Sequence, residues 1–161
     1  MKIEKTFTLD APVDEVMKTV RDPAVIEANE KARDALDVKI EEVSRDENRH
    51  IYRVVATNYQ RTKTGGVDKS RTEINTVTNE WDLKAKRSRW TWEGTNPNAS
   101  KVRLSGGTVL EPKGDKTEMT LTADVEVSIP VIGKTISRKI GEGFAAEWPK
   151  YIDQIQKRLA T

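Results

Sequence analysis

The chain of 161 residues has no cysteine and only one histidine, His50. Without cysteine there are no disulfides, no thiolate nucleophiles and no cysteine metal sites. His50 follows Asn48-Arg49 at the shoulder of a predicted hairpin, and we interpret it as a solvated turn histidine. This interpretation argues against a catalytic triad and against a histidine metal site.

The chain also has no strong excess of charge and no long apolar run. Its 28 basic and 26 acidic residues leave a net charge of +2, and nucleic-acid binding would favour a basic stripe instead. No apolar segment approaches the ~20 residues of a transmembrane helix. Residues 1–9 alternate like a strand and lack the apolar core of a signal peptide. The sequence therefore predicts a cytoplasmic protein with no nucleic-acid partner and no transmembrane segment.

A strand and a long helix end the chain. Apolar and polar residues alternate over 119–129, which predicts a strand with one buried face. From Ile132 to Leu159, apolar residues recur three or four positions apart, which predicts a long amphipathic helix. This succession indicates a sheet that is covered by the C-terminal helix.

The other predicted elements are short strands and two short helices. Residues 1–9 form the first strand, and helices open at Asp10-Ala11-Pro12 and at Asp22-Pro23. Further strands are predicted at 38–44, 50–59, 71–83, 86–95, 101–111 and 116–129, with a mobile loop at 62–69. Short turns between strands favour an antiparallel meander. We therefore predict one α+β domain over residues 1–161, a seven-stranded antiparallel sheet packed on the long helix.

Two short segments resemble a known family. The sequence Ala-Pro-Val-Asp-Glu-Val at 11–16, directly after the first strand, resembles the START-like superfamily of polyketide cyclases, birch-pollen-allergen-type proteins and lipid-transfer domains. Met17 stands where that pattern often has tryptophan. Residues 127–134, Val-Ser-Ile-Pro-Val-Ile-Gly-Lys, look like an uncharacterised bacterial subgroup. The resemblance implies a helix-grip fold, in which a curved sheet surrounds the last helix and a cavity between them commonly holds a hydrophobic molecule.

Small residues on the final helix suggest where such a cavity would lie. Gly133, Ser137 and Gly141 fall within its apolar arc, four residues apart. They indicate either tight packing, through close approach of the helix to the sheet or a helix that begins later, or room for a guest molecule. The strand residues Trp90 and Trp92 share one parity and are either core or pocket wall. The candidate ligand-binding residues are Ile74, Trp90, Trp92, Val125, Gly133, Ser137, Ile140, Gly141 and Phe144.

Three functional hypotheses remain open. The first is a carrier or sensor that binds a hydrophobic small molecule or lipid between the sheet and the C-terminal helix. The second is a polyketide cyclase-like enzyme, and the third is a co-chaperone-like protein-interaction module. We find no catalytic motif and predict neither a cofactor nor a metal, so the first is favoured. A buried ionisable pair in the cavity would favour the enzyme, and a filled cavity with an apolar surface patch would favour the interaction module.

Overall fold

The computed structural model describes residues 1–62 and 66–161. Across these ranges, strands and helices follow one another in the predicted order. The strands are β1 (Lys2–Leu9), β2 (Asp37–Arg45), β3 (Arg49–Arg61), β4 (Val67–Asp82), β5 (Arg87–Gly94), β6 (Val102–Lys113) and β7 (Lys116–Val127). The helices are α1 (Val13–Val20), α2 (Pro23–Ala32) and α3 (Gly133–Leu159), with a short 3-10 helix at Ala99–Lys101.

All seven strands belong to one antiparallel sheet in the order β1-β7-β6-β5-β4-β3-β2. Strands that are consecutive along the chain lie side by side from β2 to β7, as a meander requires. The strand β1 pairs with β7, and the helices α1 and α2 connect β1 to the opposite edge strand. This topology, with α3 packed on β7 and β1, confirms the predicted α+β helix-grip fold.

One face of the sheet packs on α3, and we call it the inner face. Along β7 the residues on this face are buried from position 117 to position 125: Thr117, Met119, Leu121, Ala123 and Val125. The strand register continues the face to β6 through Leu121↔Thr108 and Ala123↔Gly106, and then to Ser88 and Trp90 of β5. The alternation predicted for the last strand is thus confirmed, because successive side chains point to opposite faces.

An aromatic group joins α3 to the middle of the inner face. The ring of Phe144 lies 5.8 Å from the ring of Trp90 and 6.0 Å from the ring of Trp148, measured between centroids. Trp90 reaches this position because it lies over Gly106, where an added Cβ would come within 2.6 Å of the indole ring. A side chain at position 106 would therefore displace Trp90 from α3.

The small residues of α3 bring the helix close to its neighbours. An added Cβ at Gly133 would lie 2.7 Å from the carbonyl oxygen of Val127. One at Gly141 would lie 2.8 Å from both Ile3 Cδ1 and Met1 Cε. Of the two alternatives left open by the sequence, close approach therefore describes both glycines.

The loop predicted at 62–69 is shorter in the structure, and its central residues 63–65 lie outside the described residues. Residues 67–69 belong to β4, which begins at Val67, four positions before the predicted start at 71. The cause is a register shift between Tyr59 and Gln60, after which Gln60 pairs with Asp68 and Arg61 pairs with Val67. Because of this shift, β3 and β4 continue to pair beyond the residues in which apolar and polar side chains alternate.

The aromatic group leads to a stability prediction for Phe144→Ala. We expect the free energy of unfolding to fall by about 3 kcal/mol, the lower end of the range for phenylalanine truncation, because Phe144 is half-buried. Chemical denaturation measures this change. The control Glu142→Ala removes an exposed side chain two residues earlier in α3 and should change stability by less than ~0.5 kcal/mol. Equal effects of the two substitutions would contradict the packing described for Phe144.

Close helix–sheet packing also predicts opposite effects for two glycine substitutions in α3. Gly133→Ala should destabilise the protein by about 1–3 kcal/mol, because the backbone oxygen of Val127 blocks the new methyl group. Gly143→Ala should stabilise it by about 0.5–1 kcal/mol, because no heavy atom lies within 4 Å of the new Cβ. Thermal and chemical denaturation of both variants check the signs, and a stable Gly133→Ala would mean that α3 lies farther from β7.

Candidate functional site

The layer between α3 and the sheet has a packed half and an open half. The buried cluster includes Trp148, Ile152 and Ile155 from the second half of α3, and Phe144 and Trp90 pack at its margin. In the first half of α3, the apolar-face residues Ile136, Ser137 and Ile140 are only half-buried. Just before the helix, the side chain of Val131 is 99% exposed. The end of the layer near the β7–α3 turn is therefore the more open one, although Gly133 and Gly141 contact β7 and β1 there.

Trp92 forms the sheet side of the open half, together with a short chain of polar groups. The indole Nε1 donates a hydrogen bond to Asn75 Oδ1 at 3.1 Å, and Asn75 Nδ2 donates to Asn58 Oδ1 at 3.1 Å. Next to them, the buried carboxylate of Glu73 accepts a 3.4 Å hydrogen bond from the backbone N–H of Arg61. The inner face here offers both an aromatic surface and polar groups.

A cavity of about 590 Å³ lies beside Trp92, where β5 and β6 separate. The two strands pair only from Arg87↔Val109 to Thr91↔Ser105, and the turn of 3-10 helix follows beyond that point. The lining contains apolar, small and charged residues: Trp92, Glu93, Gly94, Ala99, Ser100, Lys101, Val102, Arg103, Glu126 and Ser128. The separation of the strands thus opens a cavity that Trp92 borders, and none of the described residues of α3 lines it.

The predicted site residues do not all share the inner face. Trp90, Trp92 and Val125 lie on it, and Val125 is 1% exposed. Ile140 and Phe144 lie one turn apart on one face of α3, and Ser137 lies one turn before Gly141.

Ile74 is the exception among the predicted lining residues. It pairs with Thr57 and is 43% exposed, whereas its neighbours Glu73 and Asn75 belong to the inner face. Its side chain therefore points away from α3, because side chains alternate along β4. The inner face of β4 carries the more polar set of residues, so apolarity alone selected the wrong face.

His50 is not the solvated turn histidine expected from the sequence. It is 4% exposed and lies between Arg21 at the end of α1 and Glu42 of β2. His50 Nδ1 lies 3.0 Å from Arg21 Nη1, and His50 Nε2 lies 3.2 Å from Glu42 Oε1. His50 has the same parity along β3 as the buried residues Tyr52, Val54 and Ala56. This shared parity is the sequence signal that would have placed it on the inner face.

These contacts determine the protonation of His50. A guanidinium only donates hydrogen bonds, so Nδ1 accepts from Arg21 and Nε2 carries the proton donated to Glu42. Burial, followed by the charges of Arg45 and Arg21, lowers the pKa of His50, and Glu42 opposes this shift. Burial also raises the pKa of the neighbouring Tyr52. The imidazole is therefore neutral in the folded protein.

The buried imidazole predicts a pH-dependent stability. Unfolded chains bind a proton at His50 below about pH 6.5, whereas the folded protein binds it only at lower pH. The free energy of unfolding should therefore fall as the pH decreases through this window. Chemical denaturation between about pH 7 and about pH 5.5 measures the slope, because this is the only histidine. His50→Gln should flatten the slope, and an unchanged slope in this variant would contradict the assignment.

In the part of the chain that the structure describes, no three histidine, aspartate or glutamate side chains converge as a metal would require. None of the described helices has the length and apolar character needed to cross a membrane.

Solved structures with known names share this fold. Norcoclaurine synthase from Thalictrum flavum superposes with a TM-score of 0.65 at 13% identity, covering 99% of this chain and 86% of that one. The Zhui aromatase/cyclase from Streptomyces sp. R1128 gives 0.62 at 16% identity, covering 98% and 92%. A START superfamily protein from Mycobacterium smegmatis gives 0.60 at 15% identity, covering 98% of both chains. The similarity establishes a START-like fold, and at these identities it establishes nothing more.

The sequence comparisons define the family. No curated protein matches the chain. Residues 4–154, however, match the family described as "Protein of unknown function (DUF2505)", which accounts for most of the 161 residues. The chain therefore belongs to the DUF2505 family.

Proposed function

We propose that this protein binds a hydrophobic small molecule or lipid in the open half of the helix–sheet layer, as a carrier or sensor. The main support is that the packed core ends on α3 between Phe144, which packs against it, and Ile140, which does not. Beyond Phe144, α3 and the sheet both present apolar side chains that are half-buried, such as Ile140 and Trp92. An apolar guest between these layers would remove this surface from water, at about 25 cal/mol per Å².

The polar groups beside Trp92 refine the chemistry of the proposed ligand. The amides of Asn75 and Asn58 bond to each other, and the indole N–H is already donated to Asn75. A carbonyl or hydroxyl on a ligand would find donors and acceptors here within an otherwise apolar wall. We therefore propose a largely apolar ligand with at least one oxygen function, which orients it toward β3 and β4.

The named relatives support binding but give different activities. Two of them are named as a synthase and an aromatase/cyclase, and both share the START-like fold with this chain. A cyclase-like reaction would need an acid or base that touches the substrate. On β3, His50 lies four residues from Val54. Val54 pairs with Val77, and Val77 pairs with Trp92, so these three residues lie side by side across the sheet. The separation of His50 from Val54 along β3 is about 13 Å, so His50 does not reach a ligand beside Trp92. The buried carboxylate of Glu73 does lie there, and it would be the candidate base if a bound probe were turned over.

A thermal-shift screen tests the proposal. The probes are individual fatty acids, sterols, isoprenoids and flat polyketides added to the purified protein. A ligand at about a hundredfold excess over its dissociation constant stabilises the folded state by ~2.7 kcal/mol, or about 5–10 °C for a chain of this size. We expect at least one probe to give such a shift. The absence of any shift, together with no lipid in extracts of the purified protein, would refute the proposal.

A matched pair of variants on α3 locates the binding site. Ile140→Trp adds an indole to the open half, and Lys139→Trp adds the same bulk at an exposed neighbouring position. The shift should disappear in Ile140→Trp and persist in Lys139→Trp. Both variants are checked by circular dichroism, and Trp92→Ala, on the sheet side, serves if Ile140→Trp does not fold. Persistence of the shift in all folded variants would place the ligand elsewhere, and turnover of a bound probe would favour the enzyme hypothesis.

A further inference from the structure

A second, smaller cavity lies at the opposite end of the protein from the proposed ligand site. Its volume is about 190 Å³, and it lies where α1 meets α2 beside β2. Its lining residues are Lys18, Arg21, Asp22, Pro23 and Arg45. Three cationic side chains therefore surround this cavity and face one carboxylate.

The carboxylate of Asp22 is already engaged by other groups. Its Oδ1 accepts the backbone N–H of Ala24 at 2.9 Å, which caps α2, and its Oδ2 lies 3.4 Å from Arg158 Nη2. Among the cations, Arg45 lies 3.5 Å from Glu42 and is exposed. Asp22 therefore does not neutralise the basic side chains of the cavity.

Among the described residues, Arg21 is the cation of the cavity that is half-buried without a carboxylate partner. It is half-buried, its Nε donates to the carbonyl of Met17 at 3.2 Å, and its Nη1 donates to His50. In the ranges that the structure describes, it makes no ion pair with a carboxylate. Burial, and next the charge of Arg45, lower the pKa of Arg21, which records first the cost of burying a cation and second that of holding two cations together. A guanidinium carries five N–H donors, and the two contacts above leave others available.

We propose that this cavity binds an oxyanion, most simply a phosphate or phosphate monoester, through Arg21 with Lys18 and Arg45. The planar guanidinium matches phosphate in two-point hydrogen bonding, and lysine adds a point charge. A water molecule occupies about 30 Å³ in the liquid, so the cavity holds a group larger than one or two waters. The proposal is independent of the proposed apolar site, because none of these three cations is a candidate residue of that site or lines the cavity beside Trp92.

His50 connects the anion site to the protein interior. Its Nδ1 accepts from the same guanidinium that lines the cavity. The charged and titratable groups around the imidazole are Arg21 from α1, Glu42 and Arg45 from β2, and Tyr52 from β3. An anion beside Arg21 and Arg45 offsets the two charges that disfavour the imidazolium. Anion binding should therefore make His50 easier to protonate, and by linkage the anion should bind more tightly as the pH falls.

Nuclear magnetic resonance of the histidine ring tests this proposal directly. The chain has one histidine, so its ring gives a single set of signals. Inorganic phosphate, glycerol phosphate and sulfate are titrated at constant ionic strength, with chloride as the balancing salt. We expect saturable shifts of the His50 signals and a rise in the pKa of His50 with sulfate, whose charge is constant over the range, because the anion offsets the charges of Arg45 and Arg21. Tighter binding of glycerol phosphate than of phosphate would indicate a phosphate ester, and the reverse order a free ion.

Variants decide whether the effect arises in the cavity. Lys18→Gln and Arg45→Gln change exposed side chains and should each weaken binding about tenfold, while Arg21→Gln should abolish it. Lys39→Gln, an exposed residue of the same strand β2, is the control and should bind as the wild type does. Shifts that do not saturate, or that are equal in Lys18→Gln, Arg45→Gln and Lys39→Gln, would overturn the proposal. If Arg21→Gln does not fold, Lys18→Gln and Arg45→Gln still test the proposal.

Discussion

The close approach of α3 to β7 and β1 is the contact on which the rest of the structure depends. At one end, Gly133 lies against the backbone of Val127, and one third of the way along, Gly141 lies against Met1 and Ile3. Met1 is itself held by its amino group, which donates to the carbonyl of Val125 at 2.9 Å. The first strand, the last strand and the last helix are thus joined at one edge of the sheet. The sheet must then curve so that its other strands also contact α3. Trp90 of β5 makes such a contact with Phe144.

This arrangement divides the inner face into three regions. The middle is aliphatic and aromatic, and it contains the Trp90–Phe144–Trp148 group and most of the buried side chains. Polar residues occupy the two ends, with Asn58 and Asn75 near the β7–α3 turn and His50 near α1. Buried polar groups cost free energy unless they are hydrogen-bonded, and both ends satisfy this requirement through specific partners. The middle therefore supplies the packed core, and the two proposed sites lie at the ends.

The sequence was sufficient for the fold because its signals are local. The alternation along β7 and the three-to-four spacing along α3 each depend on one element, and both are confirmed. The site was harder to predict because it depends on contacts distant in sequence. The partner that buries His50 is Arg21, 29 positions earlier, and neither residue carries a local mark of this contact. Likewise, the small residues Gly133 and Gly141 are equally compatible with a cavity and with close packing until Val127 and Met1 are placed.

The strand β4 illustrates why polarity misled the choice of lining residues. Its inner face carries Glu73, Asn75 and Asn79 beside Val77 and Trp81, whereas its outer face carries Ile74. A strand that only closes a core would place its apolar residues inward. The inward position of polar side chains is tolerated where their groups are paired, as in the chain from Trp92 to Asn75 and Asn58. A binding surface requires hydrogen-bonded polar residues next to apolar side chains that remain half-buried. A closed core avoids this combination on its inner face.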